Sequence, residues 1–114
     1  MKKWLLALMA GLSASSCAPS DDKIDENAKI IDVRTVQEWN SGHLDNAVLL
    51  SMDQLPSKIE ALVPDKTQQV VLYCASGNRA GQMMSVMKKL GYDNVINAGG
   101  VRAAAKLVNV DIVR

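Results

Sequence analysis

Residues 70–90 constrain the fold most strongly, because they predict a strand, a tight loop and a helix in succession. The run VVLY at 70–73 is typical of a strand covered on both faces of a parallel sheet. Cys74 follows this strand directly, and Gly77 and Arg79 lie in the loop after it. A thiol at the end of a buried strand and ahead of a helix N-terminus has surroundings that stabilise a sulfur anion. This segment therefore predicts a reactive cysteine on an α/β frame.

The helix after the loop is predicted by apolar residues at helical spacing, namely Ala80, Met83, Met84, Met87 and Leu90. Gly91 stands where a left-handed C-cap is expected. A methionine stripe is much more often a flexible core face than a cofactor site, so we interpret this one as core.

The remaining elements alternate between strands and helices. Strands are predicted at 29–33, 47–50 and 94–97, and helices at 52–63 and 101–106. Thr35 and Glu38 form the capping box of a shorter helix that stops before Gly42. Residues 107–114 are either a tail or an edge strand. The order predicts a small α/β domain with a mainly parallel sheet of about four or five strands, flanked by helices.

Ligands of such sheets bind beyond the carboxyl ends of the strands. Cys74 follows the third predicted strand, Arg34 the first, and Gly99 and Gly100 the fourth. We therefore expect these residues to meet at one edge. An unperturbed thiol is only about 3% thiolate at pH 7, but the loop amides, the helix dipole and the Arg79 guanidinium all favour the anion.

Three motifs, in the right order, resemble those of the rhodanese (sulfurtransferase) family. The C-x-x-G-x-R active loop is matched by Cys74-Ala75-Ser76-Gly77-Asn78-Arg79. The upstream D-V-R, E-W, G-H-(I/L) and A signature is matched by Asp32-Val33-Arg34, Glu38-Trp39, Gly42-His43-Leu44 and Ala47. The downstream double glycine is matched by Asn97-Ala98-Gly99-Gly100. The resemblance spans residues 30–101.

The resemblance implies that Cys74 is catalytic and attacks the outer sulfur of thiosulfate, which leaves a persulfide for a thiol or cyanide acceptor. It implies that substrate is bound by Ala75, Ser76, Gly77, Asn78 and Arg79. It also implies that the site is supported by Asp32, Arg34, Gly99 and Gly100, with no metal and no organic cofactor. We expect Asp32 in a hydrogen-bond network at the sheet edge and Arg34 paired with Glu38.

Two other functions stay open. The residues after Gly100, VRAA, replace the aromatic residues usual in the family, which allows a non-catalytic persulfide carrier or binding module. A cysteine phosphatase or arsenate reductase of the same fold is the other alternative. Phosphatases place five residues between Cys and Arg, whereas four intervene here, and the smaller ring suits a sulfane sulfur better. The lone His43 is expected to be a structural histidine.

The N-terminus predicts export. Lys2 and Lys3 precede an apolar run at 4–12 that is far shorter than the about 20 residues of a membrane span, so residues 1–16 are interpreted as a signal peptide. The segment ending at Cys17 resembles a bacterial lipoprotein processing box, and ordinary cleavage after Ser16 is the alternative. Residues 17–28 are then a tether and 29–114 the domain. The expected location is the periplasm, as a membrane-anchored lipoprotein or otherwise as a soluble protein.

The charge excludes two classes of partner. The sequence has 13 basic and 12 acidic residues, and loss of Lys2 and Lys3 with the signal peptide leaves a net charge of −1. Without a basic stripe or a polybasic patch, neither nucleic acid nor a direct membrane surface is expected. Membrane attachment would run through a lipid on Cys17 only. The expected partners are thiosulfate or another sulfane donor and a small-molecule or protein thiol acceptor.

Overall fold

A computed structural model describes residues 24–114. The predicted signal peptide, Cys17 and most of the predicted tether lie outside the described residues. Within 24–114, no helix combines the length and the apolar character needed to cross a membrane.

The elements follow one another with short connections. In chain order they are β1 (Lys29–Asp32), α1 (Val36–Asn40), β2 (His43–Leu44), β3 (Val48–Leu49), α2 (Leu55–Leu62), β4 (Val70–Tyr73), α3 (Asn78–Lys89), β5 (Val95–Asn97), α4 (Val101–Val108) and β6 (Ile112–Val113).

The main sheet is fully parallel, as predicted, with the strand order β3-β1-β4-β5. In its register, Ile31 of β1 pairs with Leu72 of β4, and Val71 of β4 pairs with Ile96 of β5. Every residue of the central strand β4 is buried. The four strands match the predicted number, and β4 brings Cys74 to the middle of the carboxyl edge.

The alternation of β4 divides the core into two layers, because successive strand residues point to opposite faces. Val70 and Leu72 pack with α2 and α3, in the same cluster as Cys74. Val71 and Tyr73 pack on the opposite face with α4. Helices therefore cover both faces of the strand that carries the cysteine.

The helix α3 confirms the predicted methionine core face. Ala80, Met83 and Met87 are buried, and Met84 and Leu90 pack against the same cluster. Gly91 has φ +103°, the left-handed conformation expected of a C-cap residue.

Several boundaries differ from the predicted ones. The helix predicted from residue 52 begins at Leu55, with Pro56 in its first turn, and the helix predicted to end at residue 106 continues to Val108. The predicted capping box of Thr35 and Glu38 is confirmed. Residues 112–113 form an edge strand, which pairs antiparallel with β2. Strand β2 was not predicted, since two residues are too few for a period to be recognised.

Candidate active site

Cys74 lies immediately beyond β4 and is completely buried. Its backbone N–H donates to the Gly99 carbonyl across 3.0 Å, so the cysteine backbone is tied to the double-glycine turn. Its Sγ accepts a hydrogen bond from the Gly77 N–H at 2.9 Å. The sulfur therefore faces inward, into the curl of the loop that follows it.

The loop favours the thiolate. Burial alone would raise the pKa of the Cys74 thiol, but the backbone N–H groups of Ala80, Ser76, Gly77 and Arg79 near the sulfur stabilise its anion and hold its pKa below the ordinary value. Hydrogen bonds from donors stabilise the charged form more than the neutral one. The pKa of Cys74 is thus shifted in the direction that the sequence pattern predicts for this loop.

Gly77 allows the amides to converge. Its φ is +98°, which residues with a side chain rarely adopt, and it stands at the N-cap of α3. A Cβ on Gly77 would also lie only 3.2 Å from the Cα of Gly99. Ala75, Ser76 and Asn78 are exposed, and Asn78 is the first residue of α3.

The double glycine packs against the back of the loop. A Cβ on Gly100 would meet the Ala75 carbonyl oxygen at 2.5 Å, so only glycine permits this approach. The Asn97 side chain joins the two segments: its Nδ2 donates to the Gly77 carbonyl and its Oδ1 accepts from the Gly99 N–H, both at 2.9 Å. This bridging role of Asn97 was not predicted, although the residue belongs to the N-A-G-G motif.

Arg79 makes an ion pair with Glu38 of α1. Its Nη1 and Nη2 donate to Oε1 and Oε2 across 2.8 and 2.9 Å, and both side chains are about one-third exposed. The hydrogen bonds from Arg79 are the main reason that the pKa of Glu38 is lowered to about 2, and the backbone N–H of Thr35 lowers it further. The Glu38 carboxylate raises the pKa of Arg79, and the nearby charge of Cys74 contributes in the same direction.

The predicted pairing of Arg34 with Glu38 is therefore wrong. Arg34 is bonded instead to the buried carboxylate of Asp32, through its backbone N–H, Nε and Nη2, at 2.7–3.0 Å. Its Nη2 also donates to the Gly42 carbonyl at 2.7 Å. Arg34 precedes the N-cap of α1, so its side chain folds back toward β1 rather than lying along the helix. The expected hydrogen-bond network of Asp32 at the sheet edge is confirmed.

His43 has the structural surroundings that were expected. Its Nδ1 hydrogen-bonds the Trp39 carbonyl at 2.9 Å, and its ring stacks on the Trp39 indole with the centroids 3.5 Å apart. Nothing among residues 24–114 forms a group of three or more His, Cys, Asp or Glu side chains able to hold a metal ion.

A cavity of about 270 Å³ opens beside the loop. It is bounded by the segments that follow β1 and β3 and by one residue of α3, and its lining consists of Val33, Arg34, Thr35, Ser51, Met52, Asp53 and Arg79. Cys74 is absent from this lining, in keeping with its burial. Arg79 is thus the residue of the active loop that lines this cavity.

Comparisons with known proteins agree with this arrangement. Residues 20–106 match the family model described as the rhodanese-like domain. The chain is 33% identical over 75 residues to the thiosulfate sulfurtransferase PspE of Escherichia coli K12, covering 66% of this chain and 72% of that protein. It is 35% identical over 80 residues to the tRNA uridine(34) hydroxylase of Erwinia tasmaniensis, covering 67% of this chain and 23% of that protein. A solved structure, a rhodanese with anions from E. coli, superposes with a TM-score of 0.70 at 30% identity, covering 76% of this chain and 98% of its own.

Proposed function

The chain belongs to the rhodanese-like domain family of sulfurtransferases, and we propose that it transfers sulfane sulfur from thiosulfate through a persulfide on Cys74. The observation that supports this most is the setting of Cys74. Its buried sulfur accepts the Gly77 N–H at 2.9 Å, inside a loop with only four residues before Arg79.

In the first half-reaction, the Cys74 thiolate attacks the outer sulfur of thiosulfate. A sulfur–sulfur bond to Cys74 forms while the bond between the two thiosulfate sulfurs breaks, and sulfite leaves with the electron pair of that bond. While sulfite leaves as a dianion, the outer sulfur keeps its negative charge and becomes the terminal sulfur of the persulfide anion. The loop amides that stabilise the thiolate are placed to stabilise this anion as well.

In the second half-reaction, a thiolate or cyanide attacks the terminal persulfide sulfur. The persulfide bond breaks, the Cys74 thiolate is restored, and the acceptor leaves as a persulfide or as thiocyanate. Because Cys74 begins and ends the cycle as a thiolate, neither step needs a general base, a metal or an organic cofactor. His43, held by Trp39, accordingly has no part in the proposal.

The remaining members of the site divide between binding and support. Arg79 is proposed to hold the thiosulfate sulfonate by charge-assisted hydrogen bonds. The backbone N–H groups of the loop complete the proposed substrate-binding site; they belong to Ala75, Ser76, Gly77 and Asn78. The supporting residues are proposed to be Asp32, Arg34, Gly99 and Gly100.

A persulfide carrier is the second candidate. The full burial of Cys74 and the pairing of Arg79 with Glu38 favour it, since both restrict direct access of a small anion in this conformation. Such a protein would accept sulfur from a donor protein without turning over thiosulfate. The four-residue loop, in contrast, argues against the phosphatase and arsenate reductase alternatives.

Intact-mass measurement after incubation with thiosulfate separates the enzyme from the carrier. We expect an adduct of about 32 Da, one sulfur atom, on the wild type and none on Cys74→Ser. Sulfite release should accompany the adduct in equal amount. An adduct that forms only when a donor protein is added would support the carrier and overturn the enzymatic proposal.

We also propose that the chain is exported and anchored through a lipid on Cys17, with residues 1–16 removed as a signal peptide and 17–28 serving as a tether. The support is the lysine-led apolar run ahead of the processing box. Wild type should partition into the detergent phase, and Cys17→Ser into the aqueous phase. A wild type in the aqueous phase would leave only the soluble periplasmic form.

A further inference from the structure

Glu38 and Arg79 form an ion pair that the catalytic scheme above does not use. The two oxygens of Glu38 face the two terminal nitrogens of Arg79 at 2.8 and 2.9 Å. A guanidinium carries five N–H donors, so this pairing occupies two and leaves three. The positive charge proposed to bind the sulfonate is nevertheless compensated by a carboxylate in direct contact with it.

The carboxylate is the fixed partner of this pair. Oε1 of Glu38 also accepts the Thr35 N–H at 3.1 Å and lies 3.2 Å from the Thr35 hydroxyl. The Glu38 N–H in turn donates to that hydroxyl, which completes the capping box of α1. Glu38 is thus held by its own helix, whereas the long side chain of Arg79, apart from these two bonds, interacts with the Cys74 sulfur.

The position of Arg79 connects this pair to the approach of substrate. Arg79 is in contact with the cavity of about 270 Å³, while Cys74 is not. An anion that enters the cavity therefore meets the paired guanidinium before it meets the sulfur. Both side chains of the pair are about one-third exposed, so replacing one anion by another costs little free energy.

We propose that Glu38 acts through Arg79 by competing with the substrate: its carboxylate occupies the guanidinium at the cavity until the substrate sulfonate takes its place. This inference rests on the proposed function, since it assigns Glu38 to the same reaction. The carboxylate is therefore a competitor of thiosulfate and weakens the apparent affinity for the donor anion.

The variant Glu38→Gln tests the competition. Glutamine also serves in a capping box, so the helix start is retained while the charge is lost. We expect the KM for thiosulfate to fall ~5-fold, with kcat within about twofold of the wild type, because exposed ion pairs are worth up to about 1 kcal/mol. Glu38→Asp retains the charge and should return the KM toward the wild-type value. An unchanged or increased KM in Glu38→Gln would overturn the proposal.

The matched control is Glu60→Gln. Glu60 pairs with Lys66 at 2.8 Å and has a side chain that is 59% exposed, on a helix that does not contribute to the cavity lining. The substitution changes the net charge by the same amount, so it should leave the KM unchanged. An equal fall in KM in both variants would assign the effect to overall charge and overturn the role of Glu38.

A second measurement is independent of sulfur transfer. Cys74 is alkylated with iodoacetate, an anion, and with iodoacetamide, which is neutral, and the ratio of the two rate constants is compared between variants. We expect the ratio to rise ~5-fold in Glu38→Gln and to stay constant in Glu60→Gln. The ratio of rate constants could rise in Glu38→Gln although the protein releases no sulfite from thiosulfate. That result would support the role of Glu38 and reject only the thiosulfate activity. A constant ratio in Glu38→Gln would overturn the role itself.

Discussion

Two arginine–carboxylate pairs lie at the carboxyl edge of the same sheet, and they differ in burial and in the number of bonds that hold the arginine. Arg34 and Asp32 have side-chain exposures of 7% and 0%, and Arg34 is also bonded to the Gly42 carbonyl. Arg79 and Glu38 are exposed by 30% and 34%, and the Arg79 guanidinium is paired with Glu38 through two bonds and interacts with the Cys74 sulfur. We therefore expect the buried pair to persist, and we expect Arg79 of the exposed pair to exchange its carboxylate partner for another anion.

The difference follows from where each arginine lies in the chain. Arg34 directly follows β1, two residues after its partner, and its guanidinium packs 5.7 Å from the centre of the Tyr73 ring in the core. Arg79 lies in the first turn of α3, and its partner is 41 residues away in α1. The buried pair fixes the end of a strand. The partly exposed pair between two helices can exchange its carboxylate for an anion that enters the cavity.

The largest effect is expected from breaking the buried pair. Arg34→Ala leaves the Asp32 carboxylate buried without its partner, and such an uncompensated charge costs about 3–5 kcal/mol. Urea denaturation should show this loss in the free energy of unfolding. Arg102→Ala, at an exposed arginine of α4, is the control and should stay within about 0.5 kcal/mol of the wild type. Equally small losses in the free energy of unfolding in both variants would show that the buried pair contributes no more to stability than an exposed arginine does.

Breaking the exposed pair should affect activity rather than stability. Arg79→Ala should lower kcat/KM for thiosulfate by roughly 10²-fold, equivalent to about 3 kcal/mol of transition-state stabilisation. The free energy of unfolding should fall by less than about 1 kcal/mol, because the ion pair is partly solvated. Sulfite release at several thiosulfate concentrations provides the first measurement, and urea denaturation the second. An unchanged kcat/KM would place the sulfonate site elsewhere.

The two pairs also show what sequence reasoning can reach. The strand, loop and helix around Cys74 could be predicted because burial, the glycine and the helical period are local signals. The partner of Arg34 was mispredicted because a four-residue spacing to Glu38 suits two residues of one helix, whereas Arg34 precedes the N-cap Thr35. The pairing of Glu38 with Arg79 depends on how α1 and α3 come together, which no local pattern contains.

The active loop is also held by a neutral side chain, Asn97, which contrasts with the two charged pairs. Asn97→Ala removes the bonds to the Gly77 carbonyl and the Gly99 N–H, and should cost about 2 kcal/mol of stability, at about 1 kcal/mol net for each hydrogen bond. Persulfide formation should slow by roughly tenfold, since a loop that shifts slightly misplaces the amides around Cys74. Asn97→Asp retains the acceptor for Gly99 and should lose less. If Asn97→Ala leaves the rate of sulfite release unchanged, the loop is held without this bridge.

The smallest effect is expected from the pH dependence of the exposed pair. The pKa of Glu38 is about 2 in the folded protein, below the ordinary value of 4.5, because Arg79 and Thr35 stabilise its charged form. A carboxylate with a lowered pKa contributes its stability above the ordinary value and loses it as the pH falls from about 4.5 toward 2. The wild type should therefore exceed Glu38→Gln in free energy of unfolding near neutral pH, by no more than about 1 kcal/mol because the pair is solvated. That difference, measured by urea denaturation at both ends of the range, should shrink as the pH approaches 2. A difference that is constant with pH would mean that Glu38 is as easily protonated folded as unfolded, which contradicts an intact pair with Arg79.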